Sequence, residues 1–134
     1  MRYLLLLFFL LLLPQPSFTK EIDSSHAAEI GADGVQRAEV IAGSYYFRPN
    51  HIIVKAGVPA ELEIRSEALI VPHDFIVKAP DAGIDVSEEL TRKPVIVRFT
   101  PTKGGRYPFY CGRGLPFQKS HRAKGMEGVL EVIP

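Results

Sequence analysis

Four side chains in this sequence can do chemistry together: His73, Cys111, His121 and Met126. Cys111 is the only cysteine, so it has no partner for an internal disulfide and cannot belong to a four-cysteine zinc or iron–sulfur centre. Nine residues separate it from His121, and four more separate His121 from Met126. His73 stands far upstream, in Val71-Pro72-His73-Asp74-Phe75. One thiolate, two imidazoles and one thioether form the ligand set of a mononuclear blue-copper site, with two His and the Cys in a plane and Met as a weak axial ligand. Soft sulfur donors suit Cu(I) and imidazoles suit Cu(II), so such a set accepts both states. Taken singly, each residue has a plainer account. A lone strand-end cysteine is often a small buried hydrophobe, Met126 can be core, His121 a solvated loop residue and His73 a satisfied strand-end histidine. The joint order His…Cys…His…Met favours metal. His26 and His51 have no place in that order and are not expected to be ligands.

The elements that must position these residues are strands. Short β-rich runs separated by turn signals occupy Val40 to Phe47, His51 to Lys55, Glu61 to Arg65, Phe75 to Lys78, Val95 to Phe99, Tyr107 to Cys111 and Gly128 to Ile133. Glu61-Leu62-Glu63-Ile64-Arg65 alternates strictly, and Val95, Val97 and Phe99 share a face. About seven short strands with no sustained helical period predict an all-β, antiparallel Greek-key β-sandwich. Ser87-Glu88-Glu89-Leu90, opened by a capping-type serine, is the one stretch expected to form a turn of helix. Three candidate ligands on one inter-strand loop and the fourth on a neighbouring strand would put a metal at one end of the sandwich.

At the N-terminus, MRYLLLLFFLLLLPQPSFTK has one cation, Arg2, before an apolar run from Tyr3 to Leu13 and then Pro14 and Pro16. That run is shorter than the ~20 residues needed to cross a bilayer and matches the apolar region of a secretory signal peptide. Ser25-His26-Ala27 offers small residues for cleavage before Ala28. A cut nearer Ser17 or Thr19, or an uncleaved anchor, are the alternatives. The expected organisation is therefore a signal peptide over 1–27, a loose lead-in over 28–38 and one domain over 39–134, exported to the periplasm or the extracellular space, with no stable membrane span in the mature chain. The 134 residues, 46% of them hydrophobic, suffice for one domain, and a net charge of +1 argues against a nucleic-acid binder.

Several segments resemble the cupredoxins, the blue copper proteins of plastocyanin and azurin type. Gly105-Arg106-Tyr107-Pro108-Phe109-Tyr110-Cys111 is similar to the strand that delivers their copper cysteine. Met126-Glu127-Gly128-Val129-Leu130-Glu131-Val132 is similar to their closing strand, and Ala68 to Ser87 to the region around their first ligand. The resemblance spans roughly residues 40–134. It implies one type 1 copper ion with His73, Cys111 and His121 as equatorial ligands and Met126 as axial ligand. It also implies one-electron transfer without substrate turnover. The Cys-to-His loop is longer than in plastocyanin, azurin or amicyanin, and Asp74 stands where an Asn commonly follows the first His. The dinuclear copper centre of cytochrome oxidase subunit II needs a second Cys where this chain has Leu115, which excludes it. The second, histidine-rich copper site of nitrite reductases and the His-x-His pairs of multicopper oxidases are missing, so no enzyme is expected. A Cys111–His121 hydrolase fits less well than metal, because Met126 and His73 would have no role in it.

The rival to an electron carrier is copper storage or delivery to another cuproprotein. Two expectations concern partners. Leu115, Pro116 and Phe117 form an apolar cluster in the ligand loop, either docking surface or, for Phe117, folded-back core. From Lys103 to Met126 every charged residue is basic (Lys103, Arg106, Arg113, Lys119, Arg122, Lys124), which predicts a positive copper end that attracts an acidic-surfaced redox protein such as a c-type cytochrome.

Overall fold

The computed structural model describes residues 24–134, and the signal-peptide reading of residues 1–20 lies outside them. Among the described residues, eleven strands form two packed sheets. In chain order they are β1 (Ser25–Ala27), β2 (Glu29–Ile30), β3 (Gln36–Ala42), β4 (Phe47–Arg48), β5 (His51–Lys55), β6 (Ala60–Ser66), β7 (His73–Ala79), β8 (Ile84–Leu90), β9 (Val95–Phe99), β10 (Gly105–Tyr110) and β11 (Glu127–Ile133). One sheet runs β1-β5-β11-β10-β7-β8. The other runs β2-β3-β6-β9, with β4 on β3.

Alternation in the sequence decides which faces meet. Ala38, Val40 and Ala42 of β3, Leu62 and Ile64 of β6 and Val97 of β9 point inward from one sheet. From the other come Ile52, Val54, Phe75, Val77, Phe109, Leu130 and Val132. Phe47, Phe75 and Phe109 pack ring against ring, with centroids 5.1–5.6 Å apart, and form the floor beneath the candidate ligands.

The two-sheet, all-β sandwich is as expected, with three differences. First, β1 with β5, β5 with β11 and β3 with β6 pair in parallel, so the sheets are mixed where wholly antiparallel pairing was expected. The chain passes between the sheets after β1, β4, β5 and β6, and such crossovers let strands that are not chain neighbours pair in the same direction. Second, Ser87-Glu88-Glu89-Leu90 is no helical turn. It ends β8, which pairs with β7 over all seven residues, from His73↔Leu90 to Ala79↔Ile84. An edge strand with exposed Asp85, Glu88 and Glu89 lacks the apolar alternation that marks an inner strand, and its charges suit an edge.

Third, residues 25–38 are structured where a cleaved or loose segment was expected. Ser25, His26 and Ala27 pair with His51, Ile52 and Ile53. The Ser24 backbone N–H donates to Asn50 Oδ1 at 3.1 Å, and Ala28 N–H donates to the Ile53 carbonyl at 2.8 Å. Gln36 opens β3 fully buried. A cut after Ala27 would remove β1 from the sheet edge. Among the described residues, no helix is long and apolar enough to cross a membrane.

Candidate metal centre

β7 and β10 are neighbours, with Ile76 opposite Tyr110 and Val77 opposite Phe109. β10 and β11 are also neighbours, with Tyr110 opposite Glu127. The first residue of β7 (His73), the residue after β10 (Cys111) and the residue before β11 (Met126) therefore arrive at the same end of one sheet. The Cys111 N–H donates to the Met126 carbonyl at 3.1 Å and extends that pairing by one step. The fourth residue is brought in by the loop between them. His121 N–H donates to the Arg113 carbonyl at 2.8 Å, and the His121 carbonyl accepts from Met126 N–H at 3.0 Å. A single 3-10 turn, Arg122–Lys124, follows His121 and ends on Gly125 at φ +102°, a conformation that favours glycine.

His73, Cys111 and Met126 are fully buried, and His121 is 6% exposed. The two imidazole Nδ1 atoms lie 3.2 Å apart. Cys111 Sγ lies 3.4 Å from that of His121 and 3.8 Å from that of His73. His73, Cys111 and His121 form the one set of three metal-capable side chains found to converge among the described residues. Three donor atoms pointing at one another inside a protein are poorly served by hydrogen bonding alone. His73 Nε2 is buried without a hydrogen-bond partner, so that ring is not held by its far nitrogen either. A soft thiol with two imidazoles is a donor set for copper.

The electrostatics agree. Burial lowers the pKa of His73 and His121, and the neighbouring His121 and Lys124, respectively, lower them further. Neutral imidazoles with free lone pairs result. Burial pushes the Cys111 thiol up, opposed by the backbone N–H groups of Asp74 and Arg113 aimed at the sulfur. The Asp74 N–H lies 3.5 Å from Sγ. A cation at this point would replace the thiol proton, and those N–H groups would stabilise the thiolate it leaves.

Asp74 takes the place where an Asn was the expected pattern, and it ties the cysteine loop through its carboxylate. Its Oδ1 accepts from the Gly112 N–H at 2.6 Å, and its Oδ2 lies 3.3 Å from Arg113 Nε. Arg113 also reaches Glu89 at 3.4 Å. His26 and His51 lie away from the centre. His26 is on β1, and His51 Nε2 contacts Glu131 at 2.7 Å.

The loop expectations divide. Phe117 is not core: it is fully solvent-exposed at φ +65°, with Leu115 exposed beside it. Leu69 and Ile70, on the loop before His73, are exposed as well. The uniform basic end is reduced. Gly105 pairs with Val132, so Lys103 and Arg106 sit at the opposite end, Arg106 about 17 Å along β10 from Cys111. Arg113 is paired with Asp74 and Glu89, and Arg122 with Glu127 at 2.8 Å. Lys119 and Lys124 remain at the copper end without a carboxylate partner among the described residues. Tyr45, whose ring faces both imidazoles, carries no motif, and no sequence signal singled it out.

A two-sheet β-sandwich with His73, Cys111, His121 and Met126 gathered at one end has the arrangement of a type 1 copper site. The family model described as "Cupredoxin-like domain" matches residues 3–126, and the chain belongs to that family. No curated protein matches the sequence. Among solved structures, the chain is similar to the metal-binding domain of the Streptococcus pneumoniae D39 Cu(I)-exporting P-type ATPase CopA with Cu(I). Identity is 22% over 84% of this chain and 99% of that one, with a TM-score of 0.63. It is also similar to auracyanin A, a "blue" copper protein from Chloroflexus aurantiacus (21% identity, 75% of this chain and 100% of that one, TM-score 0.54). Auracyanin from Roseiflexus castenholzii matches at 19% identity over 78% of this chain and 100% of that one, with a TM-score of 0.51. At these identities the likeness is one of fold.

Proposed function

We propose that this chain is an exported one-electron carrier in which His73, Cys111 and His121 would hold a single copper ion, with Met126 as the fourth donor. The observation that carries the reading is the convergence of two Nδ1 atoms and one buried thiol within 3.2–3.8 Å of one another. Copper supplies the one-electron couple. The residues supply a rigid frame: Asp74 fastens the Cys111 loop, the Phe47–Phe75–Phe109 floor packs beneath, and the 3-10 turn after His121 anchors the far side. A frame already in place limits the rearrangement that accompanies each change of oxidation state, which is what a fast carrier requires.

The outward route runs through His121. A cleft lined by Ile70, Pro72, Leu115, Lys119, Lys124 and His121 opens beside it. The exposed Leu69, Ile70, Leu115 and Phe117 surround that end and supply an apolar patch for a transient redox-protein partner. Lys119 and Lys124 favour a partner with an acidic surface, of the kind a c-type cytochrome can present, and their effect on its association rate should fade as salt is raised to about 0.1 M. Because β1 begins at Ser25, we place any processing of the leader before Ser24, and N-terminal sequencing of the exported protein tests that placement.

The deciding experiment is loading with Cu(II), followed by visible absorption, EPR and chemical cycling. One equivalent should produce an intense thiolate-to-copper band. Cys111→Ala should abolish it, and Met126→Leu should keep it with a shifted potential. An unchanged spectrum in Cys111→Ala would refute the ligand assignment.

A second reading, copper storage or delivery, is favoured by the similarity in fold to the Cu(I)-bearing domain of a Cu(I) exporter. Rapid transfer of Cu(I) to an apo-cuproprotein, together with sluggish oxidation and reduction, would select it over the carrier.

A further inference from the structure

All four candidate ligands belong to the six-stranded sheet or its loops, yet one side chain from the other sheet reaches them. Tyr45 lies in the turn between β3 and β4, closed by the Gly43 N–H donating to the Tyr46 carbonyl at 3.0 Å. Its backbone is at φ +65°, a left-handed conformation that is uncommon outside glycine, Asn and Asp. What that conformation achieves is placement. The Tyr45 ring meets His121 edge-on, with centroids 5.0 Å apart and planes at 78°, and meets His73 at 6.4 Å and 85°. The ammonium of Lys124 sits 4.3 Å from the centre of the same ring.

His121 and Lys124 belong to one turn, because the Lys124 N–H donates to the His121 carbonyl at 3.1 Å. Tyr45 is thus gripped by two side chains of the ligand loop, one of them a candidate ligand. Tyr45, His121 and Lys124 also line the cleft that leads from solvent to the site. His121 is the candidate ligand delivered by a long loop, remote from any strand pairing, and it most needs support from outside that loop.

We propose that Tyr45, clasped by Lys124, is the positioning residue for His121: it sets the plane of that imidazole and closes the solvent side of the histidine pair. The inference rests on the copper reading above and adds a residue and a role to it. Two consequences follow from electrostatics. Water admitted in place of the ring would favour the more highly charged oxidised site, and a nearby ammonium favours the reduced one. Loss of either the ring or the cation should therefore lower the reduction potential.

The experiment compares wild type with Tyr45→Ala, Tyr45→Leu, Tyr45→Phe and Lys124→Gln, loaded with Cu(II). The measurements are the reduction potential, the EPR copper hyperfine splitting and the rate of copper loss to a chelator, with thermal melting as a check on folding. Tyr45→Ala, Tyr45→Leu and Lys124→Gln should each lower the potential. The two ring-deleting variants should also change the hyperfine splitting and lose copper about three- to tenfold faster, the range expected for an aromatic edge contact. Tyr45→Phe keeps the ring and should restore all three readouts.

A folded Tyr45→Leu or Tyr45→Ala with wild-type potential, splitting and release rate overturns the inference and leaves the copper reading standing. Should Tyr45→Ala fail to fold, Tyr45→Leu and Lys124→Gln decide the matter. Failure of the wild type to bind copper refutes the copper reading instead. The metal-free proteins then judge the contact: NMR signals of the His121 ring should move on loss of the Tyr45 ring while those of His51 stay, and unmoved His121 signals would overturn it.

Discussion

The two ends of the sandwich each bury polar side chains, and they treat them in opposite ways. At the end away from the metal centre, Gln36 is 1% exposed and completely satisfied. Its Nε2 donates to the carbonyls of Lys55 at 2.8 Å and Val58 at 2.9 Å, and its Oε1 accepts from the Lys55 N–H at 2.7 Å. That amide ties the start of β3 to the end of β5 and the turn after it. At the other end, His73 and His121 turn their Nδ1 atoms toward each other and toward Cys111, and His73 Nε2 has no partner. A buried polar group costs stability when it is unpaired. The first cluster meets that cost with backbone hydrogen bonds and serves the fold. The second sets two imidazole nitrogens and a thiol against one another with no backbone partner for the rings, the arrangement of a site kept for a ligand.

The sharpest way to break this contrast is His73→Leu. It should eliminate the thiolate-to-copper band altogether, yet leave the metal-free chain as stable as wild type or more stable by up to about 2 kcal/mol, because an unpaired buried nitrogen is replaced by an apolar group. Urea unfolding of the apo proteins checks this, and a marked destabilisation would mean that the imidazole is structural. Gln36→Leu should do the reverse. Stranding the Lys55 N–H and two carbonyls should cost about 2–4 kcal/mol of unfolding free energy, while the copper spectrum of the folded fraction stays unchanged.

The pH dependence sharpens the same point. Both imidazoles have folded-state pKa values below the ordinary 6.5, chiefly through burial. The unfolded chain then binds protons more readily than the native one as the medium becomes acidic. Stability of the apo protein should accordingly hold above about pH 6.5 and decline as pH falls below it, and His73→Leu should weaken that decline. Denaturant midpoints at pH 7.5 and 5.5 measure it. The smallest effect is expected from Phe117→Ser. A fully exposed ring contributes nothing to the core, so stability should change by less than about 0.5 kcal/mol and the copper spectrum not at all, while exchange with a redox partner slows. A large loss of stability would remove Phe117 from the docking surface.

Legibility from sequence followed the type of force involved. β5 and β9 appear with the ends expected from the sequence, His51–Lys55 and Val95–Phe99, because each carries a regular row of apolar residues that turns into the core. β8 does not, since an edge strand of Asp, Ser and Glu owes its conformation to the β7 ladder beside it. β1 and β2 are short and exposed, and only pairing with β5 and β3 defines them. The basic run from Lys103 to Lys124 was visible as a run, but sequence proximity does not say which residues share an end. A strand intervenes, and Asp74, Glu89 and Glu127 neutralise part of what remains.

By itself the sequence determined the donor types, their order and the strands on either side of them, because chemistry resides in side chains and burial in alternation. Register decided the rest. The pairing of β10 with β7 and β11 brings His73, Cys111 and Met126 to one edge, and the closing turn aims His121 at them. The carboxylate of Asp74 becomes the tie on the cysteine loop only because Gly112 N–H ends up 2.6 Å away. Tyr45 comes within reach of His121 across 76 residues of sequence because the two sheets pack face to face. Contacts between sheets depend on how whole layers stack, and no local pattern of residues encodes that.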